Sequence, residues 1–123
     1  MFDALKSEGK ARIIQELVPG KQITLAHVIA NPDPVLYQKL GLDPAVEYSR
    51  SAIGILTLSP AETAIIAGDI AIKASGAQLG FVDRFSGTVI LTGTYSEVDA
   101  SIKAVLEYAE ETLGFTVCKI TKT

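Results

Sequence analysis

The most informative run of apolar and polar positions lies between Ser51 and Leu91. Ala52–Leu58 (A-I-G-I-L-T-L) is apolar with little alternation, which predicts a strand buried on both faces and hence a central place in a sheet. Ser59-Pro60-Ala61-Glu62 then reads as a helix start, with Ser59 as N-cap, Pro60 in the first turn and Glu62 closing a capping box. The helix it opens is expected to run to about Ser75. It is apolar or small on nearly every side, with Ala64, Ala67, Gly68, Ala71 and Ala74 permitting close approach of another backbone. Glu62, Ile66, Asp69 and Lys73 fall on one stripe, and Asp69 with Lys73 makes a favourable acid-then-base pair. Ile66 on that stripe reads equally as an interface residue or as a lone exposed isoleucine. A strand over Leu79–Phe85, a hairpin turn at Ser86-Gly87 and a returning strand over Thr88–Thr92 complete the stretch.

Downstream, Ser96-Glu97-Val98-Asp99 reads as a second capping box. The helix it opens carries Val98, Ile102, Val105, Leu106, Ala109 and Leu113 on one face, with Lys103 and Glu107 as an exposed pair. Gly114 ends it, and Phe115–Ile120 is a last strand. From Ala52 onward the order is therefore β-α-β-β-α-β, a ferredoxin-like unit of the α+β class, with an antiparallel sheet and both helices on one face.

Upstream, the pattern is less regular. Residues 1–11 read as a frayed or weakly helical lead. Arg12, Ile13, Ile14, Gln15, Glu16, Leu17 and Val18 form a short strand candidate of mixed faces, closed by Pro19-Gly20. In Gln22–Ala30, strict alternation puts Ile23, Leu25, His27 and Ile29 on one side and Thr24, Ala26 and Val28 on the other. Asp33 is placed to cap a short helix with Pro34 at its first position, and Gly41 to end it. A loop follows from Asp43 to Arg50, with Tyr48 as a local anchor. The strand at 22–30 and its short helix fall outside the ferredoxin-like unit, at the wrong end of the chain for a simple extension.

Composition sharpens this picture. The 123 residues suit one domain, which buries roughly two-thirds of its unfolded surface. Hydrophobic residues make up 48% and charged residues 20%, so an extended disordered state is excluded and an apolar surface in need of partners is expected. The net charge of −3, the lack of a basic cluster and the absence of tryptophan disfavour nucleic acid as a partner. No apolar run is long enough to span a membrane, and the N-terminal residues lack a signal peptide's pattern. A single cysteine fits a reducing cytoplasm.

Candidate chemistry is sparse. His27 is the only histidine, on an apolar strand face, where a hydrogen-bonded structural role outweighs a catalytic one. Cys118 has no CxxC partner and reads as a small buried hydrophobe. Asp83-Arg84 is read as a turn ion pair in preference to an anion site. Ser86-Gly87-Thr88 lacks a phosphate loop's glycines and lysine. No catalytic residue, metal or cofactor is expected.

Two blocks carry a resemblance. Ala52-Ile53-Gly54-Ile55, with the helix ending in Ile72-Lys73-Ala74 and the segment Gly80-Phe81-Val82-Asp83-Arg84-Phe85-Ser86-Gly87, resembles the bacterial microcompartment shell domain. Arg12–Ala30 narrows the likeness to the circularly permuted hexameric shell proteins of ethanolamine, propanediol and choline utilisation compartments. The resemblance implies a circularly permuted shell domain over residues 12–123, with Ile23–Ile29 and Pro34–Leu40 as elements moved from the C-terminus to the front. It further implies a non-enzymatic homohexameric tile that packs with other shell proteins, and with enclosed enzymes, in the bacterial cytoplasm. Such a shell would retain a volatile or toxic intermediate such as an aldehyde. By position, Lys73 is the hexamer-edge contact and Phe85, Ser86 and Gly87 line the central pore. Arg12–Val18 then supplies an extra N-terminal strand that joins a small barrel capping the pore. The edge motif reads Asn31-Pro32-Asp33-Pro34 here, without the family's usual arginine, and Phe85 replaces a smaller pore residue. An oligomeric small-molecule-binding regulator on the same ferredoxin-like unit is the alternative reading, and an oligomeric enzyme with an interfacial site is weaker still.

Overall fold

The computed structural model describes residues 20–44 and 51–123. The expected lead at 1–11, the strand at 12–18 and Tyr48 in the loop lie outside the described residues. The elements are β1 (Gln22–Ile29), α1 (Val35–Lys39), β2 (Ala52–Ser59), α2 (Thr63–Ala74), β3 (Gln78–Asp83), β4 (Thr88–Gly93), α3 (Tyr95–Glu111), β5 (Thr116–Val117) and β6 (Thr121–Lys122).

One sheet holds all the strands, in the order β3-β4-β2-β1-β5, with β6 also on β1. β2 is central, as its unbroken apolar run requires, and pairs antiparallel with both β1 and β4. Two expectations about the sheet are corrected. First, it is mixed, because β5 and β6 lie parallel to β1. Second, the strand that chain order left outside the ferredoxin-like unit joins its sheet: β1 is inserted between β2 and the C-terminal strands. The last strand is also broken in two, with Cys118–Ile120 passing between β5 and β6.

The alternation predicted for β1 fails at one point. Ile23 is buried together with Ala26 and Val28, while Leu25 is exposed. The register against β2 slips between Ile23 and Leu25, and that irregularity changes which parity faces inward. Beyond it, Ala26 and Val28 face α2 and α3, and Ile29 faces the other way.

The main core lies between the sheet and α2 with α3, around Leu56, Leu91, Val98, Ile102 and Val105. Gly54 brings β2 and α3 together: a Cβ built there would lie 2.6 Å from Val98 Cγ1 and 2.9 Å from Ile102 Cδ1. Only glycine leaves room for that contact. A buried polar tie links the helices, with the Ser101 hydroxyl donating to the Ala71 carbonyl at 2.7 Å and the Ser75 hydroxyl to the Glu97 carbonyl at 2.8 Å. α1 lies on the opposite face of the sheet. There Tyr37 and Leu42 pack with Ile53 and Ile90 in a second, smaller core, and the Tyr37 hydroxyl donates to the Ser51 carbonyl at 3.0 Å.

Neither predicted capping box forms where expected: α2 has no side-chain cap, and the box of α3 lies upstream. Ser59 belongs to β2, paired with Gln22, and so is not free to cap. α2 begins instead at Thr63, after a tight turn in which the Thr63 amide and hydroxyl both donate to the Pro60 carbonyl. In α3 the box is Thr94 with Glu97. The Thr94 hydroxyl accepts from the Glu97 amide at 3.2 Å, and the Glu97 carboxylate accepts from the Thr94 amide at 2.9 Å. Asp99, expected in that role, pairs with Lys103 and Lys122. Lys103 is thereby drawn away from Glu107, its expected partner. At α1, the Asp33 carboxylate accepts from the Val35 amide at 3.0 Å, and Gly41 ends the element at φ 71°.

Candidate functional site

The hairpin between β3 and β4 is built around Asp83. Its Oδ1 accepts from the Phe85 amide at 2.9 Å, and its Oδ2 accepts from the Ser86 hydroxyl at 2.8 Å. These bonds, the Phe85 amide first, hold the Asp83 carboxyl below its ordinary range. The Gly87 amide donates to the Asp83 carbonyl at 2.9 Å, and the Leu58 amide donates to the Gly87 carbonyl at 2.8 Å. The turn is thus fixed to the end of the central strand. Gly87 sits at φ 77°, and a side chain there would collide with the Leu58 carbonyl oxygen, so the position demands glycine.

The expected Asp83–Arg84 ion pair is not what forms. The carboxylate is taken up inside the turn, while the Arg84 guanidinium lies over the Phe85 ring at 4.8 Å from its centroid. Phe85 is 79% exposed at the tip, beside Ile65 and Val82. Phe85, Ser86 and Gly87 are therefore brought together on one rigid turn that presents an aromatic ring outward.

Lys73 lies in the last turn of α2, far out on an exposed stripe. Its Nζ is 2.9 Å from Asp69 Oδ2, and both side chains are more than half exposed. This is the pair the spacing predicts. Ile66 on the same stripe is exposed, as are Ile65 and Ile72. The edge strand β3 adds exposed Leu79, Phe81 and Val82. The Arg12–Val18 strand lies outside the described residues.

His27 is a clamp. Its Nδ1 is 2.6 Å from the Thr121 hydroxyl and its Nε2 is 2.9 Å from the Thr123 hydroxyl, so both ring nitrogens are engaged in holding the C-terminal strand to β1. On the other side of that strand, Lys122 reaches Asp99 at 3.3 Å and lies over the Tyr95 ring. Lys103 first, then Lys122, keeps the Asp99 carboxyl below its ordinary range, and Tyr95 with Asp99 raises Lys122. The sequence pattern missed this clasp, because its members lie far apart in the chain. Cys118 is half-buried against the main core. No His, Cys, Asp and Glu side chains gather into a metal-holding group among the described residues.

Residues 52–121 match the BMC domain family. The bacterial microcompartment shell protein PduU of Salmonella typhimurium is 54% identical over 112 residues, covering 91% of this chain and 93% of that protein. The CutR flat hexamer superposes with a TM-score of 0.78 at 50% identity, covering 92% of this chain and all of CutR's. The fused permuted hexameric shell protein MSM0275 shares the fold at a TM-score of 0.63 and 21% identity, covering 71% of this chain and 45% of its own. The BMC match begins at Ala52 and leaves β1 and α1 ahead of it, although β1 sits in the middle of the sheet, which is the permuted order the resemblance implies. With half its residues identical to shell proteins along nearly its full length, this chain belongs to the bacterial microcompartment shell protein family.

Proposed function

We propose that this chain is a non-catalytic building block that closes into homohexameric tiles and packs with other shell proteins around an enclosed set of enzymes. The observation that carries the reading is where the apolar surface lies. Ile65, Leu79, Phe81 and Val82 are exposed along α2 and the β3 edge, and Val35 and Leu36 on α1, with Leu40 just after it, are exposed across the sheet. Two different apolar surfaces on one chain suit a heterologous, head-to-tail contact, and such contacts close into rings where the rotation between neighbours closes. The CutR flat hexamer shows that a chain half identical to this one takes that form.

Within the tile, Phe85, Ser86 and Gly87 line the central pore, with the Phe85 ring narrowing it. Lys73 sits at the rim, where tile meets tile. Residues 12–18 supply strands that cap the pore. The rigidity of the turn at Asp83 and the exposure of Phe85 and Lys73 support these placements. In the cell, this reading puts the chain in the shell of a compartment in the bacterial cytoplasm that retains an intermediate such as an aldehyde. With both His27 nitrogens spent on threonine hydroxyls, the chain's one imidazole serves the fold. The alternative of a small-molecule-binding regulator gains no support from relatives named as shell proteins.

The test is electron microscopy of the assembled protein with and without residues 1–18. The expected result is an intact tile in both cases, with density over the central pore lost on deletion. Pore density unchanged by the deletion would contradict the cap.

A further inference from the structure

An open notch of about 260 Å³ lies between the first turn of α2 and the tip of the β3–β4 hairpin, lined by Ile65, Val82, Asp83, Arg84 and Phe85. Its walls are apolar, with Ile65, Val82 and Phe85 all exposed. Pockets for drug-sized ligands begin at about 300 Å³, so this one suits a smaller molecule.

The two charged members of the notch are in opposite positions. Asp83 is spent inside the turn, where Oδ1 accepts from the Phe85 amide and Oδ2 from the Ser86 hydroxyl. Arg84 contributes least to the lowering of its carboxyl, behind those bonds. The negative charge of Asp83 is thus met by donors of the hairpin itself.

Arg84 has no such partner. The ion pairs among the described residues join Lys73 to Asp69, and Lys103 and Lys122 to Asp99, and Arg84 enters none of them. Its guanidinium is held over the Phe85 ring, 4.8 Å from the centroid. Stacking engages only the flat face of the group. It leaves the in-plane N–H fork, whose geometry matches the two oxygens of a carboxylate. The ring also restrains the long side chain, so less rotamer freedom is lost when an anion binds.

We propose that this notch is a binding site for a small organic carboxylate with a short hydrocarbon body. The Arg84 guanidinium takes the carboxylate, and Ile65, Val82 and Phe85 cover the hydrocarbon. Neither half suffices alone. An exposed guanidinium holds a bare carboxylate weakly, because water screens the pair. The apolar walls add burial and select a ligand with carbons beyond the carboxylate. A neutral alcohol of the same length leaves the guanidinium without its anion. All five lining residues belong to one chain, so the inference does not rest on ring closure.

Ligand-observed saturation-transfer NMR on the full-length protein tests it, with hexanoate as the probe and acetate and hexan-1-ol as controls. Hexanoate should bind with a Kd on the order of 1 mM, as suits so small a ligand on an open surface. Acetate, which lacks the hydrocarbon, and hexan-1-ol, which lacks the charge, should each bind at least about fivefold more weakly. Arg84→Gln should weaken hexanoate about fivefold and leave hexan-1-ol unchanged, so that the two ligands become alike. Raising the salt concentration should weaken hexanoate and spare hexan-1-ol. The proposal is overturned if hexanoate does not bind, which would include a neighbouring copy filling the notch. It is equally overturned if Arg84→Gln binds hexanoate as well as the parent does, or if either control binds as well as hexanoate.

Discussion

The Arg84 guanidinium lies over the Phe85 ring, 4.8 Å from its centroid, at the tip of a turn whose own carboxylate points inward. The contact fixes the orientation of the most exposed large apolar side chain among the described residues. Phe85 contributes little to the chain's own core, so Phe85→Ala should shift stability by less than about 0.5 kcal/mol in denaturant titration. It should also widen the central aperture in an electron-microscopy reconstruction of the tile. An aperture of unchanged width would place Phe85 away from the pore.

The Asp83 carboxylate stabilises the turn only while it is ionised. Its folded-state affinity for protons is lowered, so its contribution is fully present above the ordinary aspartate range and is lost as pH falls through the depressed value. Asp83→Asn removes that dependence. Parent and variant should therefore differ in stability at neutral pH and converge as the pH falls below about 4, the ordinary aspartate range, in a pH series of thermal melts. A gap that stays constant down to acid pH would show that the carboxylate's charge is not what holds the turn.

Gly54→Ala forces a methyl group against Val98 and Ile102. Overpacking of this kind costs about 1–3 kcal/mol, read as a lower denaturation midpoint with an unchanged slope. A midpoint equal to the parent's would show that α3 yields without strain.

Lys73→Ala separates tile closure from tile packing. The Lys73–Asp69 pair is exposed, and such pairs are worth at most about 1 kcal/mol, so the fold should hold. The variant should keep the mass of the assembled ring and lose extended sheets on grids where the parent forms them. Sheets of normal extent would remove Lys73 from the rim.

Much of the fold was legible because burial is written locally. The unbroken run of β2 gave its central place, and the apolar face of α3, from Val98 to Leu113, matched the core it enters. The misses have several causes, and competition between partners for one residue is the commonest. Ser59 was a plausible cap until Gln22 claimed it for the sheet. Asp99 had the spacing of a capping residue, but Thr94 just upstream forms the box with Glu97, and Asp99 pairs with Lys103 and Lys122. The irregularity at Leu25 reversed the inward parity of β1, and no local pattern marks it.

The candidate site divides the same way. The spacing of Asp69 and Lys73 predicted their pair, because a helix sets neighbours four residues apart. The organisation of the turn by Asp83 was not legible, because Asp83-Arg84 in sequence suggests an ion pair while the backbone amide of Phe85 competes better for the carboxylate. The second core of Tyr37, Leu42, Ile53 and Ile90 depends on where β1 inserts, and the sheet order supplies that.

The central claim is that the chain works as a closed ring of six. Native mass spectrometry, or light scattering on a sizing column, reads this directly. The account predicts a species of six times the 13.0 kDa chain that persists on dilution. A stable monomer would contradict it.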